Sequence, residues 1–153
     1  MLEHMKKYDV SDIKIINLID TVRSNPYLYW GVENPTSADY SRAVVEQLEI
    51  DNCEFVEILR VNQWTVVCST TDWISRTQGD KNGIRELFEK SSVFFKSGPF
   101  DLRVEFLLYA CVERLALYRQ DSFTWLKGSP DELVSRKLVQ NCGSKTCLLF
   151  LDS

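Results

Sequence analysis

The stretch WTVVCSTTDW at residues 64–73 sets Cys68 four residues before Asp72, a spacing that could bring a thiol nucleophile close to an acid. A cysteine acts as a nucleophile through its thiolate, and it needs a base within hydrogen-bond reach to take the proton. The chain's single histidine is His4, in a leading Met1-Leu2-Glu3-His4 that has the character of a non-native addition ahead of Met5. Without a usable histidine the alternation is the better guide. Trp64, Val66 and Cys68 take one face of a strand and Thr65, Val67 and Ser69 the other. Cysteine packs readily in a core as a small hydrophobe. Asp72 is then a turn or capping residue, and Trp73 and Ile74 anchor the exit.

Cys142-Gly-Ser-Lys-Thr-Cys147 invites two further readings. A structural zinc site normally presents two close pairs of cysteine or histidine ligands. Here one loose C-x4-C stands alone, with Cys53, Cys68 and Cys111 scattered singly, so the ligand count argues against a metal. The embedded Gly-Ser-Lys-Thr fails the phosphate-loop pattern, because Ser144 precedes Lys145 and the opening glycine is missing. It also falls between a helix and a strand, the reverse of the required order. A glycine cap leading into a strand accounts for it.

Arg103 and Arg114 lie eleven residues apart, about 20° on a helical wheel, so on one helix they would share an edge that could grip a phosphate or carboxylate. Pairing with local acids is the commoner use of such arginines. Glu105 and Glu113 point in different directions and form no carboxylate pair. A thiol-dependent or small-molecule enzyme centred on Cys68 and the Arg103/Arg114 edge is therefore the alternative to a non-enzymatic reading. No cofactor is expected.

Charge is distributed unevenly. Residues 33–57 hold Glu33, Asp39, Glu46, Glu49, Asp51, Glu54 and Glu57 against Arg42 alone, a net −6 in a chain of net −4. Such a segment is either a solvated helix face running into an edge strand or a surface complementary to a basic partner. Tyr27, Tyr29 and Trp30, just upstream, are aromatic residues of the kind that anchor interfaces. The expected partner-binding set is Tyr27, Tyr29, Trp30, Glu33, Asp39, Glu46, Glu49, Asp51 and Glu54. The overall negative charge argues against nucleic acid or anionic lipid as the partner.

Asn25-Pro-Tyr-Leu-Tyr-Trp-Gly31, the 64–73 stretch and Arg103-Val-Glu-Phe-Leu-Leu-Tyr-Ala110, with the size and acidity of the chain, resemble small bacterial immunity proteins that neutralise secreted toxins. That class shares no single fold and lends no site residue. What the resemblance implies is a binding function, with a toxin's active domain as partner; the acidic segment makes that a basic toxin domain.

These residues must be positioned by one domain of 153 residues, long enough to bury about 70% of its unfolded surface. Residues 1–8 are expected to be flexible. No run approaches a membrane span and no secretory leader opens the chain. With an odd number of cysteines, five, this points to a reducing, cytoplasmic setting. A helix is expected from Ser11 to Ser24, stopped by Asn25-Pro26, and a loop from Pro26 to Pro35. A second helix should start at Thr36 or Ser37 with Tyr40, Val44 and Leu48 inward. Phe55–Val61 and Trp64–Ser69 read as a hairpin turning at Asn62-Gln63. After a loop at 79–83 and a short helix with Ile84, Leu87 and Phe88 inward, residues 99–118 read as a central helix, apolar on two sides, with Asp101, Glu105 and Arg119 on its wet edge. Ser122–Lys127 is a strand. Ser129-Pro-Asp-Glu132 opens a helix, and Thr146–Leu151 is a strand interior to the sheet. The fold class is α+β: a small, mostly antiparallel sheet of an early hairpin plus two later strands, packed with about five helices.

Overall fold

The computed structural model describes residues 18–74, 85, 88, 89 and 103–151. The early part of the first expected helix, the 79–83 loop, Ile84, Leu87 and the start of the expected central helix lie outside them, as does His4. Residues 18–24 are helical, and the helix ends at Asn25, whose side-chain amide donates to Thr21 O at 2.9 Å.

The chain is α+β. Five strands form an antiparallel sheet in the order β1-β2-β5-β3-β4: β1 (Glu57–Val61), β2 (Trp64–Ser69), β3 (Arg114–Arg119), β4 (Ser122–Lys127) and β5 (Thr146–Leu151). The run of apolar residues in β5 places it at the centre, between β2 and β3, with residues 146–150 buried. β1 is an edge strand.

Further helices among the described residues are α1 (Pro26–Trp30), α2 (Ser37–Ile50), α3 (Val104–Cys111) and α4 (Glu132–Cys142). The segment expected as a loop from Pro26 begins instead with the short helix α1. Proline suits a first helical position because its missing N–H would have no partner there, and Gly31 closes the turn at φ +82. α2 starts as expected. Thr36 caps it, and the Asp39 carboxylate accepts from Thr36 N at 2.9 Å, a reciprocal box that satisfies two of the orphan N–H groups of the first turn. α2 packs on β2 and on α3. The β1–β2 turn needs a left-handed residue only at Asn62, φ +56, which is why Gln63 is tolerated beside it.

The helix expected over 99–118 is corrected. α3 ends at Cys111, Val112 is extended, and residues 114–119 are strand β3. Leu115 and Leu117 face the core under α2 and α3, while Ala116 and Tyr118 face α4. A stretch apolar on both sides satisfies a buried helix and a buried strand equally. What selects the strand is pairing with β5 on one side and β4 on the other, through a turn with Gln120 and Asp121 both at positive φ. Lys127 Nζ then donates to Tyr109 O and Val112 O, both at 2.7 Å, closing the carbonyl end of α3. The sheet therefore has three later strands rather than two.

Both faces of the sheet are covered. Trp30, Tyr40, Val44, Leu48, Phe106 and Leu108 pack on one side with Val67, Leu115, Leu148 and Phe150. On the other, Val134, Leu138 and Cys142 of α4 close over Val66, Cys68, Cys147 and Leu149. α4 begins at Glu132, two residues later than Pro130, with Asp131 as its cap accepting from Val134 N at 3.3 Å. None of the helices in the described residues is long and apolar enough to cross a membrane.

Candidate functional site

The 64–73 stretch is the second strand of the hairpin, and Cys68 is fully buried on the face toward α4. It is not alone there. Glu57 is the register partner of Cys68, and Cys68 is the register partner of Cys147, so the three side chains stand in one row across β1, β2 and β5. Cys142, the last residue of α4, closes over that row. The three sulfur atoms of Cys68, Cys142 and Cys147 all lie within 4.8 Å of one another. The cysteines that looked scattered are brought together by strand register, a relation the sequence does not display.

Hydrogen bonds run along the row. Cys147 donates toward Cys68, Cys68 Sγ–H donates to Glu57 Oε1 at 3.7 Å, and Lys145 Nζ donates to the same oxygen at 2.6 Å. The bond from Cys147 holds the Cys68 thiol below its ordinary value, against burial and the Glu57 carboxylate, which pull it upward. The same bond and burial push Cys147 well up, and burial raises Cys142. Lys145 lowers Glu57 by hydrogen bond and charge. On the solvent side a cleft of about 470 Å³ is lined by Phe55, Val56, Glu57, Thr70 and Lys145.

Tyr118 supports this corner from below. Its hydroxyl donates to Gly143 O at 2.7 Å, next to the end of α4, and lies 2.9 Å from Asp121 Oδ1. Burial, then the Asp121 carboxylate, push its pKa from 10.0 up to about 12. The folded state favours the neutral phenol, so its contribution is complete below pH 10 and is lost as pH rises from 10.0 to about 12. Denaturant titrations across that window should show an alkaline loss of stability that is smaller in Tyr118→Phe.

The expected partner-binding residues divide sharply. Glu33, Glu46, Glu49 and Glu54 are exposed. Tyr27 is 68% exposed and shares a cleft with Leu28 and Glu33. Trp30 corrects the expectation of an exposed anchor: it is 6% exposed, packs edge-on against Tyr40 at 4.6 Å, and donates Nε1–H to Cys111 Sγ at 3.4 Å. Tyr29 is half-buried, and burial raises its pKa. Asp39 is engaged in the α2 cap and with Arg42 at 3.2 Å. Asp51 accepts from Arg103 at 2.6 Å. Sequence reasoning missed Ile50, Phe55 and Ile58, exposed by 74%, 77% and 49% within the same acidic segment. Phe55 also sits at φ +52, where a bulky side chain is strained.

The arginine edge does not exist. Arg103 precedes α3 and binds Asp51 and Glu105, whereas Arg114 opens β3, lies 4.8 Å over the Trp64 ring and donates to Ser129 O. Glu105, expected on the wet edge, is fully buried between Arg103 and the Trp73 indole N–H. Asp72 lies just before the helical residues 73 and 74 and accepts from Arg119 at 2.8 Å.

Comparison with family models, with curated proteins and with solved structures finds no match. The site must be read from its own geometry.

Burial also sets an order of thiol reactivity. Cys53 and Cys111 are half-buried, while Cys68, Cys142 and Cys147 are buried. Iodoacetamide on the native protein should modify Cys53 first, then Cys111, whose thiol is raised by burial. The other three should react only on unfolding. Peptide mapping checks this, and rapid selective labelling of Cys68 would instead favour thiol chemistry.

Proposed function

We propose that the chain is a non-enzymatic protein-binding protein whose partner presents a basic surface, and specifically an immunity protein that holds a bacterial toxin domain inactive by occlusion. The observation that carries this reading is the segment from Glu46 to Ile58. Glu46, Glu49 and Glu54 are exposed and have no cationic partner among the described residues, and Ile50, Phe55 and Ile58 stand exposed among them. Large apolar groups ringed by like charge suit an interface that uses the charge for steering and the apolar groups for contact. The segment runs into β1, whose outer side pairs with no strand among the described residues. Tyr27 and Glu33 supply a second acidic-aromatic patch at α1. Asp39 and Asp51 serve mainly to shape this region, one capping α2 and the other tied to Arg103.

Strain at Phe55 supports the same reading. A phenylalanine held at φ +52 and 77% exposed contributes little to its own fold, and a residue kept at such a conformation is a candidate for work outside the chain. Phe55→Gly should raise stability by about 1 kcal/mol, because glycine adopts that region freely, yet weaken partner capture.

The test asks whether a gene beside this one encodes a toxin domain and uses the full chain as bait for that product. Wild type should capture it, while Glu46→Lys/Glu49→Lys/Glu54→Lys should slow association on the order of tenfold and flatten its salt dependence. Equal association rates would overturn the surface assignment. The thiol-enzyme reading draws no support from a buried Cys68 or from two arginines engaged elsewhere.

A further inference from the structure

We propose that Cys68, Cys142 and Cys147, with Glu57 as the fourth donor, form a binding site for a thiophilic divalent cation, zinc being the natural occupant. The argument rests on placement. A tetrahedral zinc with Zn–S bonds of about 2.3 Å requires sulfurs about 3.8 Å apart. The three sulfurs lie within 4.8 Å of one another, so each edge of the triangle needs to close by no more than about 1 Å to reach that geometry. The three thiols come from three different elements, the end of β2, the last residue of α4 and the second residue of β5, and they converge on one point between sheet and helix.

A fourth donor stands beside the triangle, next to Cys68 and outside the group of three sulfurs. Glu57 heads the cross-strand row, with Oε1 3.7 Å from Cys68 Sγ, and its side chain is 45% exposed. To complete the tetrahedron its side chain has to swing over the triangle from the cleft that it lines with Lys145. Three thiolates and a carboxylate around a divalent ion leave a charge of −2. Lys145, 2.6 Å from Glu57 Oε1, offsets part of it and holds the carboxylate in position, as outer hydrogen-bond partners of metal ligands commonly do. Lys145 N donates to Cys142 O at 2.8 Å, so the turn that carries this lysine also sets the spacing of two ligands. The donor set selects the ion: three sulfurs favour zinc or cadmium over magnesium, calcium or manganese, which prefer all-oxygen sites. Binding would tie α4 to the sheet at its far end, opposite the Trp64–Asp131 bond at its start.

Reduced, metal-free full-length protein is titrated with cadmium while the ultraviolet thiolate-to-metal charge-transfer band is followed. One cadmium per chain is expected, displaced by zinc, with the thermal midpoint raised by zinc. The band should survive Cys53→Ser/Cys111→Ser, weaken tenfold or more in affinity in Glu57→Gln, and vanish in Cys142→Ser. Should Cys142→Ser fail to fold, X-ray absorption at the zinc edge of the loaded wild type decides the matter. Three sulfurs and one oxygen around zinc support the site. No cadmium band in the folded reduced protein, a band lost with Cys53 and Cys111, or a zinc shell without sulfur would overturn it, leaving three thiols that only pack.

Discussion

Arg103→Ala is expected to destabilise the fold by about 3–5 kcal/mol, because it leaves a buried carboxylate without its counter-charge. Glu105 is fully buried at the start of α3, and among the described residues Arg103 is the cation paired with it, through Nε at 3.0 Å and Nη2 at 3.1 Å. The same guanidinium reaches Asp51 at 2.6 Å, so one side chain joins the end of α2 to the start of α3. In a chain of this size such a loss lowers Tm on the order of 10 °C. The sign of a second substitution makes the prediction specific. Glu105→Gln keeps an acceptor for the Trp73 N–H, 3.2 Å away, and in the wild-type background should cost about 1–3 kcal/mol through the weakened bonds. In the Arg103→Ala background the same change removes an unpaired buried charge and should stabilise. Denaturant unfolding of the four proteins checks this. Additive costs would mean that the two groups do not act as a pair.

Trp64→Ala should cost about 3–5 kcal/mol, as for other buried aromatic truncations. Trp64 is 1% exposed and joins three elements beyond its own strand. Its indole N–H donates to Asp131 Oδ2 at 3.1 Å, holding the cap of α4, Arg114 lies over its ring, and Trp125 meets it edge-on at 5.9 Å. Trp64→Phe keeps much of the packing and loses the bond to the cap, so its cost should be nearer 1 kcal/mol. A local consequence separates this from general weakening. Loosening α4 should speed alkylation of Cys142 more than that of Cys147, which is held in the central strand. Equal stability of the alanine and phenylalanine variants would remove Trp64 from this role.

Local signals were legible in the sequence. Thr36 and Asp39 mark the start of α2 because a cap and its partner lie within one turn. Asn62-Gln63 between two β-rich runs marks the hairpin, and the unbroken apolar run of Thr146–Leu151 marks a strand covered on both faces. Together these were enough for the α+β class. The acidic segment was visible as composition alone, and so was the difference between Cys68 as a nucleophile without a base and Cys68 as a packed thiol.

What tertiary structure decided was everything that depends on which strand lies beside which. Arg114-Leu-Ala-Leu-Tyr-Arg119 carries apolar residues on every side, so periodicity allows helix or strand, and only pairing with β4 and β5 chooses. Glu105 and Trp30 looked exposed by residue type and position, yet each is buried with its polar atoms bonded to a residue distant in sequence, Trp73 for Glu105 and Cys111 for Trp30. The same holds for the thiols. Cys68 and Cys147 are 79 positions apart, and no spacing rule reaches that far. Their contact follows from the register of β2 on β5, fixed by burying both faces of the sheet, since a slip of one residue would turn every side chain to the wrong side.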